Sequence, residues 1–355
     1  MYQTVLRLNN GKKNMIETLQ SLRIVFSLTV MLAHFSYAGI EGHSTGVGPM
    51  FFMLMTGVVM SRSYGPKIRS GNFRMRPYLL RRFFKFYPLH LLCLVAILLI
   101  RHKTLTSTDL LSILPNALLL QSWIPDANYY FSLNGVSWYL SDLLLFLLFF
   151  PFIYRWICQM GDKALRRTAI LLFAGYVAYV SLVQTDDLNY WLYIFPPVRL
   201  LDFIWGMVIW RYYELHPTWG RFRRPTLVEL LLAFLLVMTI VLYPLHERWH
   251  VALIHWIIMI PLVLVFMQGD QYGGWLSCFL KTRVMVWLGG LTLDTYLLHD
   301  LIFAILLNNA SKYDVVLPYP LMLVACVGVV ILVSWLTHRF FVNPVNERLN
   351  TWCQI

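Results

Sequence analysis

LRIVFSLTVMLAHF, residues 22–35, is an apolar run that opens on a cation, Arg23, and all but closes on an imidazole, His34. A helix needs about 17–25 mostly apolar residues to cross a hydrocarbon core about 30 Å thick, and the segment starting here is the first of ten candidates along the chain. The others begin near Val47, Phe83, Val136, Leu165, Phe195, Thr226, Val251, Val284 and Leu317. The expected fold is an all-α polytopic membrane protein with about ten transmembrane helices. Leu110 to Leu120 is a shorter apolar piece interrupted by Pro115, read as interfacial or re-entrant and not counted. The first run does not read as a cleaved signal peptide, because it starts late, carries Arg23 and His34, and is followed by no small-residue cleavage site.

Composition agrees with that reading. Of 355 residues, 59% are hydrophobic and 13% charged, against roughly half and a quarter in soluble domains, a balance that points to lipid as the solvent and argues against a soluble enzyme. The five cysteines are odd in number and never spaced CxxC, which argues against a zinc site or a disulfide framework. The net charge of +12 could suggest nucleic acid, but 16% aromatics and long apolar runs favour a membrane face instead. With the N-terminus inside, 22 of the 29 Lys and Arg fall in inner segments, and only Arg101, Lys103, Arg248 and Lys312 in outer ones. Cytoplasmic loops collect such residues, so both termini are expected in the cytoplasm. The chain reads as a single membrane-embedded domain over 1–355, with cytoplasmic segments at 1–21 and 342–355, no repeat and no low-complexity tract.

Ionisable side chains within spans are costly and usually face a protein-lined interior, so each is a candidate site residue. They are Arg23, His34, Lys85, Asp142, Arg199, Asp202, Asp294, His299 and Asp300. Arg23 and His34 are eleven residues apart, about three turns and about 16 Å, so they share a helix face at different depths. Arg23, Arg81, Arg82 and Lys85 form an inner basic tier suited to phosphate, and His34 a deeper group suited to taking and returning a proton. Competing readings are bland: a packing histidine, a basic tier that only touches lipid head groups, and an i, i+3 pair of Arg199 and Asp202 that merely neutralises itself. Thr292, Thr295, Tyr296 and His299 make one helical stripe that should face the bundle interior, with Asp294 off it.

These residues resemble the acyltransferase 3 family of integral membrane proteins. Arg23 and His34 match the Arg-x10-His pairing of its first helix. FFMLMTG (51–57) is similar to FF-x-x-SG with Thr56 in place of serine, and RRFFKFYP (81–88) to RR-x-x-R-x-x-P with Lys85 in place of arginine. NGVSWYLSDLL (134–144) puts Asp142 near an acidic position, PPVRLLDFIWG (196–206) resembles a P-x-R segment, and LGGLTLDTYLLHDLIF (288–303) places Tyr296 and His299 in register. Six such matches in order cover nearly the whole chain. The resemblance implies ten helices, an essential His34, and transfer of an acyl group, usually acetyl, from cytoplasmic acyl-CoA to a hydroxyl of an exopolysaccharide, O-antigen or lipid-linked oligosaccharide.

The combined expectation is an acetyl-CoA-dependent O-acetyltransferase of glycans in the bacterial cytoplasmic membrane, with no metal and no nucleic acid partner. His34 would be the general base or a transient acyl acceptor. Asp142 would orient it, with Asp202 also at a suitable depth. Arg23, Arg81, Arg82 and Lys85 would bind the coenzyme, and Arg199, Asp202, Tyr296 and His299 would lie around the substrate. The alternative is a proton-coupled or facilitative transporter of a sugar or glycolipid, which the chain favours less because it lacks repeat symmetry and matched Gly/Pro-broken helices.

Overall fold

A computed structural model describes residues 16–40, 46–184, 187–219, 221–242 and 255–353. Among them there is no strand, only an isolated backbone bridge between Tyr37 and Ile40. The helices are α1 (Glu17–His34), α2 (Val47–Arg69), α3 (Met75–Phe84), α4 (Tyr87–Ile100), α5 (Ser107–Ala117), α6 (Ala127–Tyr130), α7 (Trp138–Ile157), α8 (Asp162–Leu182) and α9 (Pro196–Leu215). They continue as α10 (Pro225–Leu242), α11 (His255–Met267), α12 (Gly269–Tyr272), α13 (Trp275–Leu280), α14 (Arg283–Gly290), α15 (Thr292–Lys312), α16 (Tyr319–Thr337) and α17 (Asn343–Trp352). An apolar run in lipid must satisfy its own backbone, and the helix is the local way to do so.

Nine of the ten expected span starts fall in or beside a helix, and the tenth, Val251, lies outside the described residues, as do most of the N-terminal segment and the loop from Tyr243 to His250. By length and composition five stretches among the described residues can cross a membrane: Met75–Ile100, Gly135–Ile157, Asp162–Leu182, Tyr190–Leu215 and Tyr319–Trp352. The pair α14 and α15, bent by 64°, makes a sixth if it is one span. α1 and α2 reach 18 and 23 residues but carry charged side chains, and the apolar parts of α10 and α11 are shorter. The eleven residues of α5 extend only about 16 Å. They expose Leu110, Leu111 and Leu114 while burying Ser112 and Asn116, so α5 turns its polar side to the protein.

Helix ends are held locally and from afar. Thr106 and Asp109 form a reciprocal capping box at the start of α5. At the start of α1, the Asp270 carboxylate accepts from Glu17 N at 2.9 Å and Thr18 N at 3.1 Å. That distant cap fixes the entry of the helix bearing Arg23 and His34.

The core is built by α1, α2, α7, α9 and α15. Phe26 stacks on Phe51 at 4.0 Å and Phe146 on Phe203 at 5.0 Å between ring centroids. Helices α2 and α9 cross where Gly57 meets Gly206, and a Cβ on Gly206 would collide with the Leu54 carbonyl. Small residues allow such backbone approach, which packs membrane helices in place of a hydrophobic drive. In the same way Gly289 on α14 lies against the Gln20 carbonyl of α1. Helices α8, α10 and α16 expose Leu171, Leu182, Leu231 and Val324, as lipid-facing surfaces do.

Candidate active site

Two cavities meet at Tyr296. The first is lined by Arg23 of α1, Phe52 and Thr56 of α2, Arg82 of α3, Lys85 just beyond it, Tyr139 of α7 and Tyr296 of α15. The second is lined by Thr29 and His34 of α1, Gly48, Val136, Trp138, Asn189 and Tyr193, and again Tyr296. α1 therefore presents its cation to one cavity and its imidazole to the other, as the three-turn spacing requires. The Tyr296 hydroxyl donates to the Val136 carbonyl at 2.9 Å, and its ring lies 5.6 Å from Tyr139 and 6.0 Å from Phe52. Tyr296 thus lies on the boundary shared by both cavities.

The basic cavity suits an anion. Arg23 Nη1 donates to Gln20 Oε1 at 3.3 Å, while its Nε is buried without a partner, and the buried Nε of Arg82 likewise has none. The Arg82 guanidinium lies 5.0 Å from the Tyr64 ring centroid, within cation–π reach. Lys85 lines the same space, whereas Arg81 is exposed and lines neither cavity.

His34 stands beside a second histidine. Its Nδ1 lies 2.9 Å from the Val30 carbonyl of its own helix and 3.4 Å from His299 Nε2, with ring centroids 5.1 Å apart at 69°. His299 is fully buried, and its Nδ1 lies 2.7 Å from the Tyr296 carbonyl and 3.2 Å from that of Thr295. A carbonyl only accepts, so each Nδ1 is the protonated nitrogen. When His34 is neutral, its Nε2 therefore carries the lone pair. The stripe read from the sequence is buried and engaged: Thr295 bonds Ser27 of α1 at 3.1 Å, Tyr296 bonds Val136, and His299 faces His34.

The expected orienting acid sits elsewhere. Asp142 is fully buried and its Oδ1 accepts from Ser122 Oγ at 2.8 Å, whereas His34 has Val30 and His299 as its partners among the described residues. The reason is rotational: along α7 it is Tyr139 that faces the basic cavity, and Asp142 turns toward Ser122 and the Arg199–Asp202 site. Arg199 and Asp202 form a buried ion pair at 3.0 Å, closed by Tyr176 OH on Arg199 at 3.1 Å and Trp256 Nε1 on Asp202 at 2.5 Å. They line neither cavity and tie α9 to α8 and α11. Asp202 is thus engaged by Arg199 and Trp256.

Tyr139, Thr56 and Trp138 around the cavities carried no charge in the sequence and so escaped a search for ionisable residues. His338 escaped because it ends a span. Its Nδ1 lies 2.9 Å from Asp294 Oδ2 and gives that off-stripe carboxylate a partner.

The helical membrane fold and the sequence similarities identify a membrane acyltransferase. A family model for an acyltransferase domain matches residues 16–339, and the chain belongs to that family, acyltransferase 3. It is similar to acyltransferase MdmB of Streptomyces mycarofaciens, 29% identical over 285 residues that cover 73% of this chain and 69% of that protein. No solved structure gives a significant match.

Proposed function

We propose that this protein transfers an acyl group, acetyl in the first instance, from cytoplasmic acyl-CoA to a sugar hydroxyl of an exopolysaccharide, an O-antigen or a lipid-linked oligosaccharide, in the bacterial inner membrane. The observation that carries the reading is the pair of cavities meeting at Tyr296, one with unpartnered buried guanidinium nitrogens and the other with the free face of His34. Phosphates of the coenzyme would take Arg23, Arg82 and Lys85, with Arg81 adding charge at the mouth. Ten spans with both termini in the cytoplasm put that mouth on the coenzyme's side, and the 22-to-4 sorting of cations supports this topology.

In this reading the acceptor hydroxyl gives its proton to His34 Nε2 as its oxygen attacks the thioester carbonyl. The new C–O bond forms, the C–S bond breaks, and the imidazolium returns the proton to the coenzyme sulfur. A positioned base of this kind contributes about 10²–10⁴-fold. Purified His34→Ala, assayed with labelled acetyl-CoA and a glycan acceptor, should therefore lose at least about 10²-fold in rate while still being stabilised thermally by CoA. Transfer at a near wild-type rate would remove His34 from the chemistry. No stabilisation of the wild type by saturating CoA would favour a transporter.

A further inference from the structure

We infer that His299 is a positioning residue for His34, filling the place that an orienting carboxylate takes in other acid–base sites, and does not contact the acceptor. The inference rests on the acyl-transfer reading for its functional consequence, but its geometry stands apart from it. His299 is fully buried, and carbonyls of its own helix hold the proton on its Nδ1. Its Nε2 is then a lone pair facing one donor, the Nδ1–H of His34 at 3.4 Å. His299 is absent from the lining of the cavity that His34 opens into, so a ligand there meets His34 first.

The consequence is a difference between two states of His34. With His34 neutral, its Nδ1–H is shared between Val30 O at 2.9 Å and the longer contact to His299, and the latter adds little. Once Nε2 takes a proton the ring is a cation, and hydrogen bonds from an ionised donor are shorter and about twice as strong. His299 therefore favours the state that develops during transfer, which is how a residue raises turnover and not merely affinity. A neutral imidazole does this without a second buried carboxylate, whose desolvation in a membrane interior is expensive. A purely structural histidine would also bond its own helix carbonyls, but it would gain nothing from having its lone pair aimed at the one imidazole exposed to the cavity.

The test compares His299→Gln, whose carbonyl oxygen can accept from His34 Nδ1, with His299→Phe, which keeps a ring and accepts nothing. Expected for Phe is a fall in kcat of about 10²-fold with KM for acyl-CoA and acceptor within about twofold, and for Gln recovery to within about tenfold of wild type. Should the Phe variant fail to accumulate, His299→Asn, too short to reach, takes its place. Equal losses for Gln and Phe, or a raised acceptor KM at unchanged kcat, would overturn the assignment.

A second readout needs no acyl transfer: carbethoxylation of His34 at fixed pH, followed by mass spectrometry of its peptide. It should slow severalfold in the Phe variant and recover in the Gln variant, and an unchanged rate in both would overturn the pairing. If the wild type transferred no acyl group yet showed this pattern, the pairing would stand and the proposed function would fall.

Discussion

At Asp142 a single cation serves two buried carboxylates. Arg199 pairs with Asp202, and Asp142 keeps the Ser122 hydroxyl on Oδ1 with Oδ2 bare. An asparagine there preserves the acceptor for Ser122 and introduces no unpaired charge, so Asp142→Asn should hold acyl-transfer activity within about threefold and should not lower the thermal midpoint. A loss as large as that of His34→Ala would return Asp142 to the reacting centre. Arg23 and His34 were legible because their relation is local: eleven residues on one helix set both face and separation. His299 was legible as polar and inward-facing, but its partner was not, since 265 residues separate it from His34 and only the packing of α15 on α1 brings them together.

Single helices show where local reading stops. A continuous span from near Val284 would carry Asp294 to mid-depth and His299 above it, but the helix breaks at Leu291, between Gly290 and Thr292, with a 64° bend. Counting about 1.5 Å per residue across that break overstates the depth, and Asp294 lies in the first turn of α15. The helical stripe survived because it lies wholly beyond the break. Glu229 on α10 passed unnoticed beside a span start, yet it is fully buried and accepts from Gly274 N at 2.7 Å, Leu276 N at 3.0 Å, Ser277 N at 3.3 Å and Ser277 Oγ at 2.5 Å. Glu229→Ala strands several of these donors and should destabilise the protein by about 2–4 kcal/mol, seen as a lowered thermal midpoint in detergent, with Gln losing less. An unchanged midpoint for Ala would mean that water replaces the carboxylate.

Across the whole molecule, charge sorting and helix count ask the same question in different ways. The proposed topology, ten spans with cytoplasmic ends, would place Cys278 and Cys353 on the inner side and Asn308 near the outer one. Both cysteines are free, and Cys278 is exposed. A membrane-impermeant thiol reagent should therefore label them in inside-out vesicles and not in right-side-out vesicles, with Asn308→Cys reversed. Labelling of Cys278 and Asn308→Cys from the same side would break the ten-span topology.

The amino-acid sequence by itself determined that this is a helical membrane protein and that Arg23 and His34 share a face. Those are properties of composition and of one helix's period, which need no neighbours. Only the tertiary structure decided that His34 meets His299 instead of Asp142, that Arg199 and Asp202 close on each other, and that Tyr296 stands between two cavities. Such contacts depend on how far each helix is rotated and bent against the next, and glycine crossings, a mid-span break and distant caps set those angles together.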